Sequence, residues 1–260
     1  MAIEDLYIKC REKAQKHQMF YHYTNLESLL YILSSCSFRL SLISNVNDIE
    51  EESRFMDIKK NKVFLACFSH HHDESIPLWK IYSKDNYGLR LGFPNIDFLN
   101  SKDKYYYIAE GKKVKFPCEN WEIRDADIFD VEYVKDPYDH VNYFDPLDTG
   151  AQVPYPINLG IIKRKAWDYE AETRARVYID VVKGVSSLLL EQKSLAPRNP
   201  FISYIFCRLT KNELEKMTIT FNPFMSNLLK DLIKLAVTTY VPYFNPNNFR
   251  DSELENRIRS

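Results

Sequence analysis

Glycine is scarce in this chain, with six residues in 260. Neither glycine-rich phosphate cradle is spelled anywhere: there is no P-loop and no dinucleotide G-x-G-x-x-G. A Rossmann or P-loop mode of nucleotide binding is thereby excluded. Cysteine offers no framework either. Cys10, Cys36, Cys67, Cys118 and Cys207 are odd in number, far apart and never in a C-x-x-C pair. Reduced thiols in a cytoplasm suit that pattern better than secreted disulfides. No apolar run approaches the ~20 residues of a membrane span. The N-terminus, MAIEDLYIKC, mixes acids and bases and has no signal-peptide core. A cytoplasmic protein without a membrane partner is expected.

What the chain does have is apolar mass. Hydrophobic residues make up 45%, with 18 Tyr and 16 Phe, which excludes a disordered chain and a coiled coil. A chain of this length buries roughly 73% of its unfolded surface, so it needs neither a disulfide nor a metal staple. The net charge of −1 conceals an uneven distribution. Residues 117–150 hold ten acids against Arg124 and Lys135, a window of −8, which leaves the remainder at +7. We read this as an acidic solvated segment beside an ordinary surface. No basic run is dense enough for a nucleic-acid patch.

The periodicities alternate between helix and strand. A helix is expected over 3–16, with Ile3, Leu6, Tyr7 and Cys10 on one stripe. A short aromatic strand, Met19 to Tyr23, runs into Thr24-Asn25-Leu26-Glu27, which spells a capping box with Thr24 as the cap. Strands are expected at 38–42, 63–69, 89–93, 105–108, 131–134, 202–207 and 218–221, and helical turns at 76–83 and 211–217. A polar helix is expected near 50–58. Over 169–182 the period is two: Glu170, Glu172, Arg174, Arg176 and Tyr178 share one face, turned to water or a cleft. A last helix runs from Pro223 to Tyr240, with Leu228, Leu232, Leu235 and Ala236 as its apolar positions. The expected class is α+β, one domain over 1–260 with an acidic, proline-rich insert at about 117–158.

Three groups could carry chemistry. His22-Tyr23-Thr24 puts an imidazole at a strand end beside the free amides of a helix start, a place for a ribose hydroxyl, a phosphate or a carboxamide. On residue chemistry alone, Thr24 as a cap and His22 as a packing residue is the simpler reading. Glu170-x-Glu172-x-Arg174 reads as a satisfied surface ladder, or as a carboxylate held by a guanidinium to stabilise an oxocarbenium ion. Asn47, Asp48 and Glu51 either orient their own loop or face a ligand. His70-His71-His72-Asp73-Glu74 invites a metal reading, but neighbours on extended chain point apart and no second cluster has ligand spacing. No metal is expected. Cys67 sits mid-strand among apolar neighbours and reads as a small hydrophobe.

The order of these motifs resembles a family. Tyr21-His22-Tyr23-Thr24 with its leucine-rich helix, Leu40-Ser41, Asn47-Asp48-x-x-Glu51 and Cys67-Phe68-Ser69 come first. Leu78-Trp79-x-x-Tyr82, Gly88-x-x-Leu91-Gly92-Phe93 and Trp167-x-Tyr169-Glu170-x-Glu172-x-Arg174 follow. Together they resemble the bacterial domain-of-unknown-function family 2971, from about Phe20 to the last strand. Ile49 and Cys36 depart from the usual Pro and Gly. The front of the pattern is also similar to the ADP-ribosyltransferase superfamily, whose members open with His-x-Thr on a strand. That resemblance implies split antiparallel sheets around a cleft, flanking helices, and NAD in the cleft as substrate. It implies that His22 bonds a ribose hydroxyl, that Tyr23 or Thr24 seats the nicotinamide, and that Ser41 lines the next strand. Glu172 takes the place of the catalytic glutamate, with Glu170 its close rival. Asn47, Asp48, Trp79, Tyr82 and Arg174 complete the expected cleft. An ADP-ribosyltransferase-like enzyme of bacterial stress or phage defence is the expectation, with an unknown acceptor, protein or nucleic acid. A nucleotide-sensing module without catalysis is the alternative. A metal-dependent nuclease using Asp48, Glu170 and Glu172 is the third reading, weakened by the missing Glu-x-Lys.

Overall fold

The computed structural model describes residues 3–45, 63–83, 86–118, 121–137, 160–181 and 202–258. Asn47, Asp48, Glu51 and the helix expected near 50–58 lie outside them, as do residues 119–120 and 138–158 of the expected insert.

The described chain is α+β. An opening helix, α1 (Ile3–Ala14), is followed by β1 (Phe20–Asn25), α2 (Leu26–Ser35) and β2 (Ser37–Leu42). Next come β3 (Val63–Ser69), α3 (Ile76–Tyr82), β4 (Gly88–Phe93), β5 (Tyr105–Ala109), β6 (Lys112–Lys115), β7 (Trp121–Asp130) and β8 (Glu132–Val134). The last third supplies β9 (Ile162–Arg164), β10 (Glu172–Val181), β11 (Tyr204–Arg208), α4 (Lys211–Lys216), β12 (Thr218–Phe221), α5 (Asn227–Tyr240) and β13 (Phe249–Arg250). No helix among the described residues is long and apolar enough to cross a membrane.

Eleven of these strands join in one sheet, antiparallel except where β12 meets β13; β8 and β9 pair separately. The resemblance implied two sheets around a cleft. Here eleven of the described strands are one hydrogen-bonded network, and the split is local. β3 carries β10 along one edge. Its other edge is shared: β1 joins at Tyr21↔Ser69, and β2 joins at Ser41↔Leu65 and Leu42↔Phe64. Between those contacts β1 and β2 diverge, which opens a slot beside Ala66, Cys67 and Phe68.

Alternation assigns the two faces. Phe20, His22 and Thr24 share a face with Leu91, Phe93 and Phe68, the side of the main core, which α2 and α5 cover through Leu29, Leu33, Ile233 and Val237. Tyr21 and Tyr23 turn to the other side and pack with Leu78 and Trp79 of α3. On that same side α1 sets Leu6, Tyr7 and Cys10, three of the four residues of its expected stripe, against Phe129, Ile161 and Ile162.

Several expectations change. The cap of α2 is Asn25, whose side chain accepts from the Ser28 amide at 2.9 Å. Thr24 is instead a buried strand residue. The acidic stretch holds a ten-residue strand of the main sheet, β7, paired with β10 along its length. With an irregularity in register between Ile123 and Asp125, Trp121, Ile123, Ala126 and Ile128 face the main core while Asp125, Asp127 and Phe129 face the other side, an arrangement that composition alone hid. α5 starts after Ser226, not at Pro223, and buries Lys230, Ile233 and Val237. Leu228, Leu232 and Leu235, expected to pack, are exposed.

Candidate functional site

The slot beside β3 is the mouth of a cavity of about 510 Å³, inside the range of small-molecule sites. His22, Thr24, Asn25, Ser28 and Phe38 line it from the side of the main core. Cys67, Tyr82, Lys163, Glu172 and Arg174 line it from the other. The cavity therefore passes through the sheet where two strands separate. His22 and Glu172 stand on opposite faces of that sheet and open on one space. A smaller recess of about 80 Å³ continues from it past Tyr21, Phe68, Leu78 and Glu170.

His22 is fixed by the open edge of β3. Its Nδ1 lies 2.9 Å from the Cys67 carbonyl. A carbonyl only accepts, so Nδ1 carries the proton and Nε2 is left with a lone pair. Phe38 meets the ring edge-on and Phe68 at a tilt, at centroid distances of 5.0 and 5.7 Å. Burial pushes the His22 pKa down, against a raising contribution from the Cys67 carbonyl, so the ring stays neutral at neutral pH.

The opposite wall is a buried set of four charges. Arg174 grips Glu172 with two bonds, Nε to Oε1 and Nη2 to Oε2, each 2.9 Å. Lys163 bonds Glu170 closely and reaches Glu172 Oε2 at 3.4 Å. Arg174 Nη1 also donates to the Gly160 carbonyl at 2.8 Å. Gly160 has a φ of +80°, a conformation that favours glycine, and a Cβ there would press on that Nη1 at 3.3 Å. Backbone pins Glu172 as well: its amide donates to the Tyr133 hydroxyl at 2.9 Å.

Two acids and two bases cancel, yet the acids behave differently. Burial alone would raise the Glu172 carboxyl, but Arg174 and then Lys163 overcome it and hold it at about 2. Glu170 goes the other way: burial and then the Glu172 charge raise it. It accepts from the Tyr82 hydroxyl at 3.3 Å. Glu170 does not lie on β10 at all. It ends a 3₁₀ turn over Lys165–Glu170, and Ala171 at φ +42° then redirects the chain into the strand. The Cys67 thiol is pushed well up by burial and by Glu172, so it is no thiolate nucleophile.

The surface-ladder reading of this strand is thus overturned. Glu172, Arg174 and Arg176 are all buried. α1 and the β8–β9 pair cover them, and Arg176 lies against the rings of Phe129 and Tyr7 at 4.8 and 5.5 Å. Among the expected cleft residues, His22, Tyr23, Thr24, Ser41, Tyr82, Glu172 and Arg174 all line the cavity. Trp79 does not. It is buried against Tyr23 at 5.0 Å and donates its indole N–H to Glu74 at 2.8 Å, a packing role. Lys163 was missed, because Lys163-Arg164-Lys165 reads in sequence as a solvated basic triplet. Missed too was a second cluster behind β10, where His17, His70 and Asp130 meet.

No curated protein and no solved structure matches the chain. Residues 78–175, from α3 to the middle of β10, match the family model described as "Protein of unknown function (DUF2971)", the family that the ordered motifs resemble.

Proposed function

We propose that the cavity binds NAD and that the protein is an ADP-ribosyltransferase-like enzyme. The observation that supports this is the shared cavity: an imidazole from β1 and a carboxylate from β10 open on one space of nucleotide size. Neutral His22 offers its Nε2 lone pair to a ribose hydroxyl. The N-terminus of α2, with Asn25 and Ser28 at the wall, offers amide dipoles to phosphate. As the nicotinamide C–N bond breaks, its electron pair leaves with the neutral base and positive charge grows on the ribose. Glu172 is ionised at neutral pH and immobilised by Arg174, so it meets that charge without reorganising. An acceptor nucleophile, on a protein or nucleic acid, then forms the new bond to the ribose carbon.

A second reading has its own observation. Both Glu172 oxygens are engaged by Arg174 and Lys163, which mutes the field that the carboxylate exerts on a ligand. A non-catalytic nucleotide sensor needs the cavity but not that charge. The nuclease reading fares worse, because a divalent ion at Glu170 and Glu172 would have to displace two buried cations.

One experiment separates them. NAD is added to the full-length protein while melting temperature and nicotinamide release are followed, for wild type, Glu172→Gln and His22→Asn. The enzyme reading expects stabilisation by NAD and slow nicotinamide release that falls by roughly 100-fold or more in Glu172→Gln. Stabilisation without release supports the sensor. Glu172→Gln takes the carboxylate from Arg174 and leaves Lys163 with Glu170, so its fold is checked first; if it unfolds, His22→Asn carries the test. Neither stabilisation nor release would remove both readings.

A further inference from the structure

The second cluster uses none of the cavity. His17 follows α1, His70 follows β3 and Asp130 ends β7, so three distant segments of chain meet at one point. His17 Nε2 is 2.7 Å from Asp130 Oδ2, and His70 Nδ1 is 3.8 Å from Asp130 Oδ1. One donor atom from each residue lies within 4.8 Å of the others. The imidazoles are stacked, 4.0 Å between centroids and 4° from parallel, and both present a nitrogen to the same carboxylate. The Asp130 side chain is 7% exposed and the two histidines 22% and 24%, so the anchor is inside and the histidines reach towards solvent.

We propose that His17, His70 and Asp130 bind a divalent first-row cation, zinc foremost. Two imidazole nitrogens and one carboxylate oxygen form the borderline donor set that zinc prefers, and three protein ligands leave the fourth tetrahedral position to water. Zinc bonds of about 2.0–2.2 Å place tetrahedral ligand atoms roughly 3.3 Å apart. The separations of 2.7 and 3.8 Å lie on either side of that value. Those two distances run to different oxygens of Asp130, so a rotation of the carboxylate and a turn of the His70 ring are what bring one atom from each residue onto a single ion.

The outer shell is also in place. Thr173, paired with Asp130 across the β10–β7 ladder, donates its hydroxyl to Asp130 Oδ1 at 2.6 Å. That proton being committed, His70 Nδ1 is the donor in its 3.0 Å contact with Thr173 Oγ1. On binding, His17 Nε2 and His70 Nδ1 turn their lone pairs to the ion, any proton they carried passing to the far ring nitrogen or to water, while Thr173 keeps the carboxylate oriented. Sequence spacing gave no sign of this, since His17 and Asp130 are 113 residues apart. The site would clamp three elements directly behind Glu172, because Thr173 is its neighbour in β10. It stands independently of the NAD reading.

The test uses full-length protein freed of metal by dialysis against a chelator. Zinc is titrated in competition with a chromophoric chelator, and cobalt is followed by visible absorption. Expected are one equivalent of zinc, a four-coordinate cobalt band, and a higher melting temperature with zinc. Removing an outer-shell partner costs roughly 10–100-fold in metal affinity, so Thr173→Val should weaken zinc by about tenfold or more. His17→Gln and His70→Gln should each weaken it further and abolish the cobalt band. Metal-free melting curves show whether each variant is folded, and the wild-type cobalt spectrum is read regardless. A wild type with neither stoichiometric zinc nor a cobalt band overturns the proposal. So does binding that survives in the His17→Gln/His70→Gln protein, which would put the ion on other groups such as His71 and His72.

Discussion

The same residue types pair twice in this molecule, with opposite surroundings. At the cavity wall, Lys163 and Arg174 meet Glu170 and Glu172, with every side chain about 5% exposed or less. On the outside of α1, Lys9 and Lys13 meet Glu132 at 3.2 and 3.0 Å, with both lysines 44% exposed. Distances barely separate the two clusters; water does. Outside, each charge is solvated whether or not it is paired, so pairing contributes little. Inside, each charge has lost its water and depends on its partner. The inner cluster is therefore the costly one to break, and it is the one placed where a ligand would sit.

The largest expected effect follows directly. Arg174→Ala leaves Glu172 buried with its bidentate partner gone, and breaking such a pair costs about 3–5 kcal/mol. Urea unfolding of the variant should show that loss, partly relieved if Glu172 takes up a proton. Removing both charges together, as Glu172→Gln/Arg174→Met, should cost much less. A double variant as unstable as the single one would show that packing, not charge, holds this wall.

Acid offers the next test. The Glu172 carboxyl lies near 2 when folded against 4.5 as its ordinary value, a depressed group. Its contribution is present above 4.5 and is lost as pH falls from 4.5 towards 2, on the order of 3 kcal/mol. Glu170 acts in the opposite sense: raised when folded, it favours the folded state at low pH and offsets part of that loss. His22 is also depressed, so its share declines earlier, as pH drops below 6.5. Unfolding free energies at pH 7, 5 and 3 should fall at each step. In the Glu172→Gln/Arg174→Met protein, the step below 4.5 should shrink.

What the sequence made legible was what local chemistry determines. β3 runs from Val63 to Ser69 as its apolar run indicated, and α1 buries Leu6, Tyr7 and Cys10 as its stripe indicated. His22, Glu172 and Arg174 were singled out and do line one cavity. What stayed hidden depends on partners remote in the chain. The period of β10 identified a charged face, but only α1 and the β8–β9 pair, which cover it, decide that it is dry. β7 was concealed because Asp125, Asp127 and Asp130 look like a loop until β10 lies alongside them. In α5 the leucines invited the wrong face, and Lys230 is buried because Asp251 and Glu255 reach its ammonium at 2.8 Å.

The smallest expected effect sharpens the comparison from the other side. In Lys13→Ala, Lys9 still holds Glu132 at 3.2 Å and the solvated carboxylate needs no second partner. Burial alone would raise the Glu132 carboxyl, but the bonds from Lys13 and Lys9 bring it below its ordinary value. One of those bonds is worth roughly 0.2–1 kcal/mol at an exposed site, and alanine's better helix propensity returns part of it. Urea unfolding should therefore register less than about 0.5 kcal/mol, with the difference fading between 0.05 and 0.5 M salt as the Debye length shortens. Arg174→Ala should keep its cost across the same salt range, because ions do not enter a wall that water has already left. If salt erased both losses alike, burial would not be what distinguishes the two clusters.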